Sequence, residues 1–195
     1  MEYQLMIPPF EVKPFEDMDK NEAQTYFDWY ISEIPKRLEV LKEYFEFSGG
    51  GSKELLNFTP ESLKVLWGWY IPLMKMEKKT KEELKLELQQ NPKWLKSEVL
   101  KGKFKISTQS KAIADDISIY FAEVVIKNFL KAKWGFMNKP KSYISVNQPI
   151  LICFSNRTPM ETKALVEVMC LKVADGDKTP NQLYGTYCFW KKYDV

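Results

Sequence analysis

The stretch "STQSKAIADDISIYFAEVVIKNFL", residues 107–130, read as a helix over about 108–130, constrains the fold more than any other part of the chain. At 100° per residue, Ile113, Ile117, Tyr120, Phe121 and Val124 fill one face of a helix, while Ile119, Ile126 and Leu130 fill another. Only a narrow stripe of Asp116, Glu123 and Lys127 remains polar. A helix apolar around most of its girth must be covered on several sides, so the rest of the chain has to wrap it.

The flanking segments supply the wrapping. The tripeptide Trp-Tyr-Ile occurs at 29–31 and again at 69–71, each time inside a run with helical spacing. Ala23, Tyr26, Phe27, Tyr30, Ile31 and Ile34 form the first apolar face, and Leu63, Leu66, Trp67, Tyr70 and Ile71 the second. Asp19 and Glu22 have the spacing of a capping box, and Thr59 followed by Pro60 reads as a second helix start. Two copies are too few for a repeat array, so the shared tripeptide reads as two aromatic faces packing on one core. Pro35 and Pro72 fall where each would end or kink its helix, and "PKRLEVLKEYFEF" reads as a further helix leaving the first at an angle. "SGGGS" at 48–52 is a surface turn, and lacks the strand and the Gly-Lys-Ser/Thr ending of a phosphate loop.

Beyond Met74 the chain turns basic. Residues 75–105 hold 10 lysines and 5 glutamates, against 7 basic and 13 acidic side chains in 1–74, and 12 and 8 in 106–195. The lysine-rich stretch reads as helical with a break at Pro92, and its glutamates 77, 82, 83, 87 and 98 interleave with the lysines and blunt their potential. After residue 130 the period changes. "KAKWGFM", "SYISVNQ" and "PILICFS" read as three short strands, residues 158–176 as a helix opened by Thr158 and Pro159 and stopped near Gly176, and residues 181–195 as a further helix. The expected class is α+β, mostly helical: a long central helix packed with a small antiparallel sheet of about three strands. A single domain over 1–195 is expected, with a helical part over about 19–130 and a helix, hairpin and sheet part over about 108–195.

Composition narrows the chemistry. The chain has no histidine, which removes histidine triads, imidazole-bound zinc and histidine acid–base catalysis. Cys153, Cys170 and Cys188 are odd in number and set among apolar residues, so buried free thiols are expected. Without a long apolar run or a leader-like start, the chain reads as cytoplasmic, with no membrane partner. No cofactor and no metal are expected. Arg37 and Arg157 are the only arginines, which counts against base-specific nucleic-acid recognition.

Three functions stay open. The first is a non-enzymatic protein-binding module, an immunity or antitoxin-like inhibitor whose acidic first 74 residues meet a basic toxin. The second is an enzyme or small-ligand protein using Asp116 and Glu123, two turns apart on one side of the helix; their plainer role is structural, with Lys127 pairing Glu123 at i,i+4 and Asp116 accepting from an indole, a tyrosine or the backbone. The third is weak nucleic-acid binding by the lysine-rich 75–105 stretch, with Trp94 and Phe104 stacking on bases.

"DDISIYFAEVVIKNF", "KWGF" and "NQPILICF" together span about forty residues that resemble small uncharacterised bacterial cytoplasmic proteins, some encoded near polymorphic toxins and read as immunity proteins. Their long helix often reads Asp-x-x-x-Tyr-Leu-Gly-Glu-Val. Asp116, Tyr120, Glu123 and Val124 match, while Phe121 and Ala122 replace the Leu-Gly step. The resemblance implies a helix packed on a hairpin and a protein partner, and brings no catalytic residue.

Overall fold

The computed structural model describes residues 2–194, apart from the side chains at 90, 98 and 101. The helices α1 (Lys20–Phe47), α2 (Ser62–Leu73), α3 (Lys81–Gln90), α4 (Lys96–Lys101), α5 (Thr108–Asn128), α6 (Thr162–Ala174) and α7 (Gln182–Lys191) dominate. The strands pair as two separate antiparallel ribbons, β1 (Met76–Lys78) with β2 (Phe104–Ile106) and β3 (Lys133–Gly135) with β4 (Ile150–Ile152). The protein is α+β and mostly helical. No helix among the described residues is long and apolar enough to cross a membrane.

α5 packs against α6, α1 and α2, and nearly every residue from Ile113 to Val125 is buried. Ile113, Ile117, Ile119, Tyr120, Phe121 and Val124 all lie in the core, whereas Leu130 falls beyond the helix end and is 82% exposed. Each Trp-Tyr-Ile sends its tyrosine inward: Tyr30 against the Trp134 ring, Tyr70 to the Ser110 carbonyl at 2.9 Å. Trp69 packs edge-on against Phe45 of α1 and donates its indole N–H to Ser48, which ties α2 to the end of α1.

α1 begins at the capping box: the Asp19 carboxylate accepts from the Asn21 and Glu22 amides, and Glu22 reaches back to the Asp19 amide. The helix then runs unbroken through Pro35, so "PKRLEVLKEYFEF" continues α1 instead of forming a second helix. Pro35 is exposed and withdraws one N–H from the ladder, while Ile34, Leu38, Leu41 and Phe45 keep burying one face across it. Pro72 does fall at an end, since α2 stops one residue later. α2 also starts two residues after the expected Pro60; the Thr59 hydroxyl turns to Asn57, and no side chain caps the helix. In the glycine turn, Gly49 and Gly51 take φ of 91° and 104°, and a Cβ on Gly50 would lie 2.4 Å from the Phe45 ring.

Two segments depart from the expected strands and helix. "SYISVNQ" is a series of turns, because Ser145, Val146 and Asn147 all point inward and Asn147, at φ 61°, donates to the Phe15 and Met18 carbonyls. A second partner for β4 comes from Met160, which pairs with Leu151 in a single antiparallel bridge; this holds the chain extended past Thr158 and Pro159 and delays α6 to Thr162. Gly176, at φ 102°, follows the end of α6 as expected. β1 and β2 frame an excursion in the lysine-rich region, and no residue from 75 to 105 belongs to the main core cluster among the described residues.

Candidate functional site

The polar stripe of α5 runs from the buried Asp116 through the half-buried Glu123 to the exposed Lys127. Asp116 is 1% exposed, and its carboxylate takes both Nε and Nη2 of Arg37, at 2.9 and 2.6 Å, in a two-pronged pair. The hydroxyl of Tyr3 donates to the same carboxylate, and Arg37 spends a further N–H on the Gln4 carbonyl at 2.7 Å. Burial pushes the Asp116 carboxyl up, against the pull of the guanidinium, and holds the Tyr3 hydroxyl well above its ordinary value. Burial also works against the Arg37 charge, but the carboxylate outweighs it and keeps the guanidinium protonated. The network pins the N-terminal arm, residues 2–14, across α1 and α5. Tyr3 is buried beneath it, and its ring meets Tyr44 edge-on.

Two turns along, Glu123 is half-buried and accepts the Trp134 indole N–H at 2.8 Å, which joins α5 to β3. Lys127 does not pair with it. Its ammonium sits 3.3 Å from the centroid of the Phe58 ring, in a cation–π contact that Lys42 approaches at 4.9 Å. The physical reason is orientation: Glu123 turns toward the indole, a fixed donor, which satisfies it better than a mobile ammonium one turn away. Phe58, at φ 63°, is clamped at both backbone groups, its N–H on the Tyr120 hydroxyl and its carbonyl on the Asn128 amide.

Asp116, Glu123 and Lys127 therefore serve three different contacts and share no cleft. A hollow of about 370 Å3 opens between Phe10 of the arm and Glu22 and Tyr26 of α1, and one of about 390 Å3 beside Lys42, Asn57 and Phe58; neither is lined by the stripe. Among the described residues, no group of three or more Cys, Asp or Glu side chains could hold a metal ion. All three cysteines are free, but only Cys170 is buried; Cys153, just past the end of β4, and Cys188, off the side of α7 that buries Leu183 and Tyr187, are exposed.

A tyrosine is among the partners the sequence offers Asp116, although nothing singles out Tyr3; Arg37 is not, though a signal for it is present. A lone arginine inside the apolar face of α1, between Ile34 and Leu38, is costly to bury unless a carboxylate meets it. Tyr3 carried no such signal.

The outer surface offers two charged regions. Along α1, Asp28, Glu39, Glu43 and Glu46 are exposed and fall within about 60° of one another around the helix. Among the described residues, no lysine or arginine pairs with Asp28, Glu43 or Glu46, and Glu39 meets Lys42 only at 3.6 Å. The second region is the basic excursion from β1 to β2. No family model matches the chain, and neither a curated protein nor a solved structure matches it.

Proposed function

We propose that the chain is a protein-binding module, an inhibitor of immunity or antitoxin type that covers a basic partner such as a nuclease toxin. The carboxylates along the outside of α1 carry this reading. Glu39, Glu43 and Glu46 line about 10 Å of one helix, and Asp28 stands about 16 Å before them, at 1.5 Å per residue. That helix is capped at its start and packed on α5 along its other side, so the charges sit on a rigid bar and lose little freedom when a partner meets them. Like charges so aligned repel one another and are relieved by a cationic surface, which raises the rate of encounter with a basic protein.

The test is a complex with the product of the adjacent gene, followed by surface plasmon resonance at several salt concentrations. Reversing Glu39, Glu43 and Glu46 to lysine should slow association at least about tenfold and flatten its salt dependence, with the melting curve unchanged. An association rate that ignores the triple reversal would overturn the assignment of this face.

A further inference from the structure

The excursion between α2 and α5 pairs most of its glutamates with only two of its lysines. In the β1–β2 ribbon, Glu77 lies opposite Lys105 on one face, and Lys78 opposite Phe104 on the other. α3 covers the first face. There Lys105 takes Glu77 at 3.0 Å and Glu83 at 2.5 Å, and Lys79 takes Glu87 at 2.7 Å. Three of the glutamates that interleave with lysines in the sequence are thus held within the excursion by only two lysines; Glu82 stays exposed, and the Glu98 side chain lies outside the described residues. Lys78, Lys81, Lys85, Lys93, Lys96 and Lys103 are all exposed, and no ion pair engages them among the described residues.

Two flat rings stand among these ammonium groups. Trp94 is 78% exposed, in a short turn between Lys93 and Lys96. Phe104 is 61% exposed, preceded by Lys103 and paired across the ribbon with Lys78. Neither ring contributes to the main core. Each ring is exposed and has, next in sequence or across the ribbon, a lysine that no ion pair engages among the described residues.

We propose that this excursion binds single-stranded nucleic acid without sequence preference, with bases stacking on Trp94 and Phe104 and the lysines following the phosphates. Ring and lysine together match a nucleotide, whose planar base and charged phosphate lie side by side. Lysine without arginine gives point charges for phosphates and no fork for reading base edges, which is why no sequence preference is assigned. Leu86 and Leu100 are also exposed on the excursion, at 54% each, so an anionic bilayer is the competing occupant that the vesicle arm of the test decides. The inference uses none of the α1 residues, so it and the protein-binding reading can fail independently.

Fluorescence anisotropy of a labelled twenty-nucleotide oligo-dT, titrated with the full chain at 50 mM salt, tests it. Binding in the micromolar range is expected, with log K falling against log salt by about 0.7 for each phosphate contacted. Trp94→Ala and Phe104→Ala should each weaken binding about tenfold, and Trp94→Phe should retain most of it. Both positions are exposed, and unchanged circular dichroism confirms that the variants fold. Absence of binding at 50 mM salt would overturn the proposal. So would full affinity in both alanine variants, or equal affinity for polyglutamate or for vesicles of anionic lipid, since each of these shows charge or apolar capture without base stacking.

Discussion

Replacing Asp116 with alanine should be among the most damaging single changes in the chain. Arg37 and Asp116 are 2% and 1% exposed, and the carboxylate answers two guanidinium N–H groups and the Tyr3 hydroxyl. Removing it leaves a buried guanidinium with no anion, only the Gln4 carbonyl and the neutral Tyr3 side chain, at a cost of about 3–5 kcal/mol, and takes from the Tyr3 hydroxyl its acceptor for about 1 kcal/mol more. Against a total stability of about 5–15 kcal/mol, that is enough to leave the fold marginal. The double variant Arg37→Met with Asp116→Leu removes both charges and should cost less than Asp116→Ala alone, because no orphan charge remains. Urea melts followed by circular dichroism decide between these, with equal slopes required for the comparison. Should Asp116→Ala fail to fold, Asp116→Asn, which keeps an acceptor, gives an intermediate loss on the same scale. A loss below about 1 kcal/mol for Asp116→Ala, or a double variant as costly as the sum of its parts, would refute the reasoning.

Glu123→Ala should cost about 1–3 kcal/mol by leaving the Trp134 indole N–H without its acceptor, and Glu123→Gln less than about 1 kcal/mol; equal midpoints for the two in denaturant melts would rule out that bond as the cause. Cys153 and Cys188 should react promptly with a thiol reagent in the folded protein while Cys170 stays silent, since it is buried and its thiol is pushed up to about 11 by that burial; three fast thiols per chain would contradict this. At the start of α1, the Glu22 amide and then the Asn21 amide hold the Asp19 carboxyl below its ordinary 3.8, and Lys13 and then the Asp19 amide hold Glu22 below its ordinary 4.5. Lowered values in the folded state mean a contribution present above the unfolded values and lost as pH falls through the folded ones, so the Asn21 and Glu22 amide resonances should titrate below those ordinary values; midpoints at 3.8 and 4.5 would show the box to be open.

What could be read from the sequence depended on how much of a segment's free energy is local. α5, α2 and the first half of α1 bury a face set by a regular period, and the apolar residues that period selects are buried or half-buried, except Leu130, which lies past the end of α5. The Asp19 capping box is equally local, because the two residues that satisfy it lie three apart. Pro35 shows the opposite case. The breaker signal is local too, but one lost hydrogen bond on the exposed side is outweighed by the burial of Ile34, Leu38, Leu41 and Phe45 across it. "SYISVNQ" has the alternation of a strand and folds as turns, because Asn147 is bound by carbonyls more than 120 residues away, which no window along the chain contains.

The polar groups follow the same division, and here it reverses the meaning of the charges. Glutamates alternating with lysines along 75–105 suggest a neutralised, solvated face as long as every side chain is free to find its sequence neighbour. The ribbon instead fixes Glu77 beside Lys105, and α3 brings Glu83 to the same ammonium, so one cation serves two anions and the remaining lysines keep their charge on the outside. On α5 the opposite occurs: Asp116 and Glu123 are taken up by the internal partners Arg37 and Trp134, and only Lys127, at the exposed end of the stripe, lies outside over the Phe58 ring. A stripe on a buried helix must be satisfied inside, because an unpaired charge there costs several kcal/mol, while a lysine on a projecting excursion costs nothing to leave unpaired. Charges free to meet a partner are therefore found where the main core is not, on the outside of α1 and on the excursion, and those are the surfaces on which the two proposed activities rest.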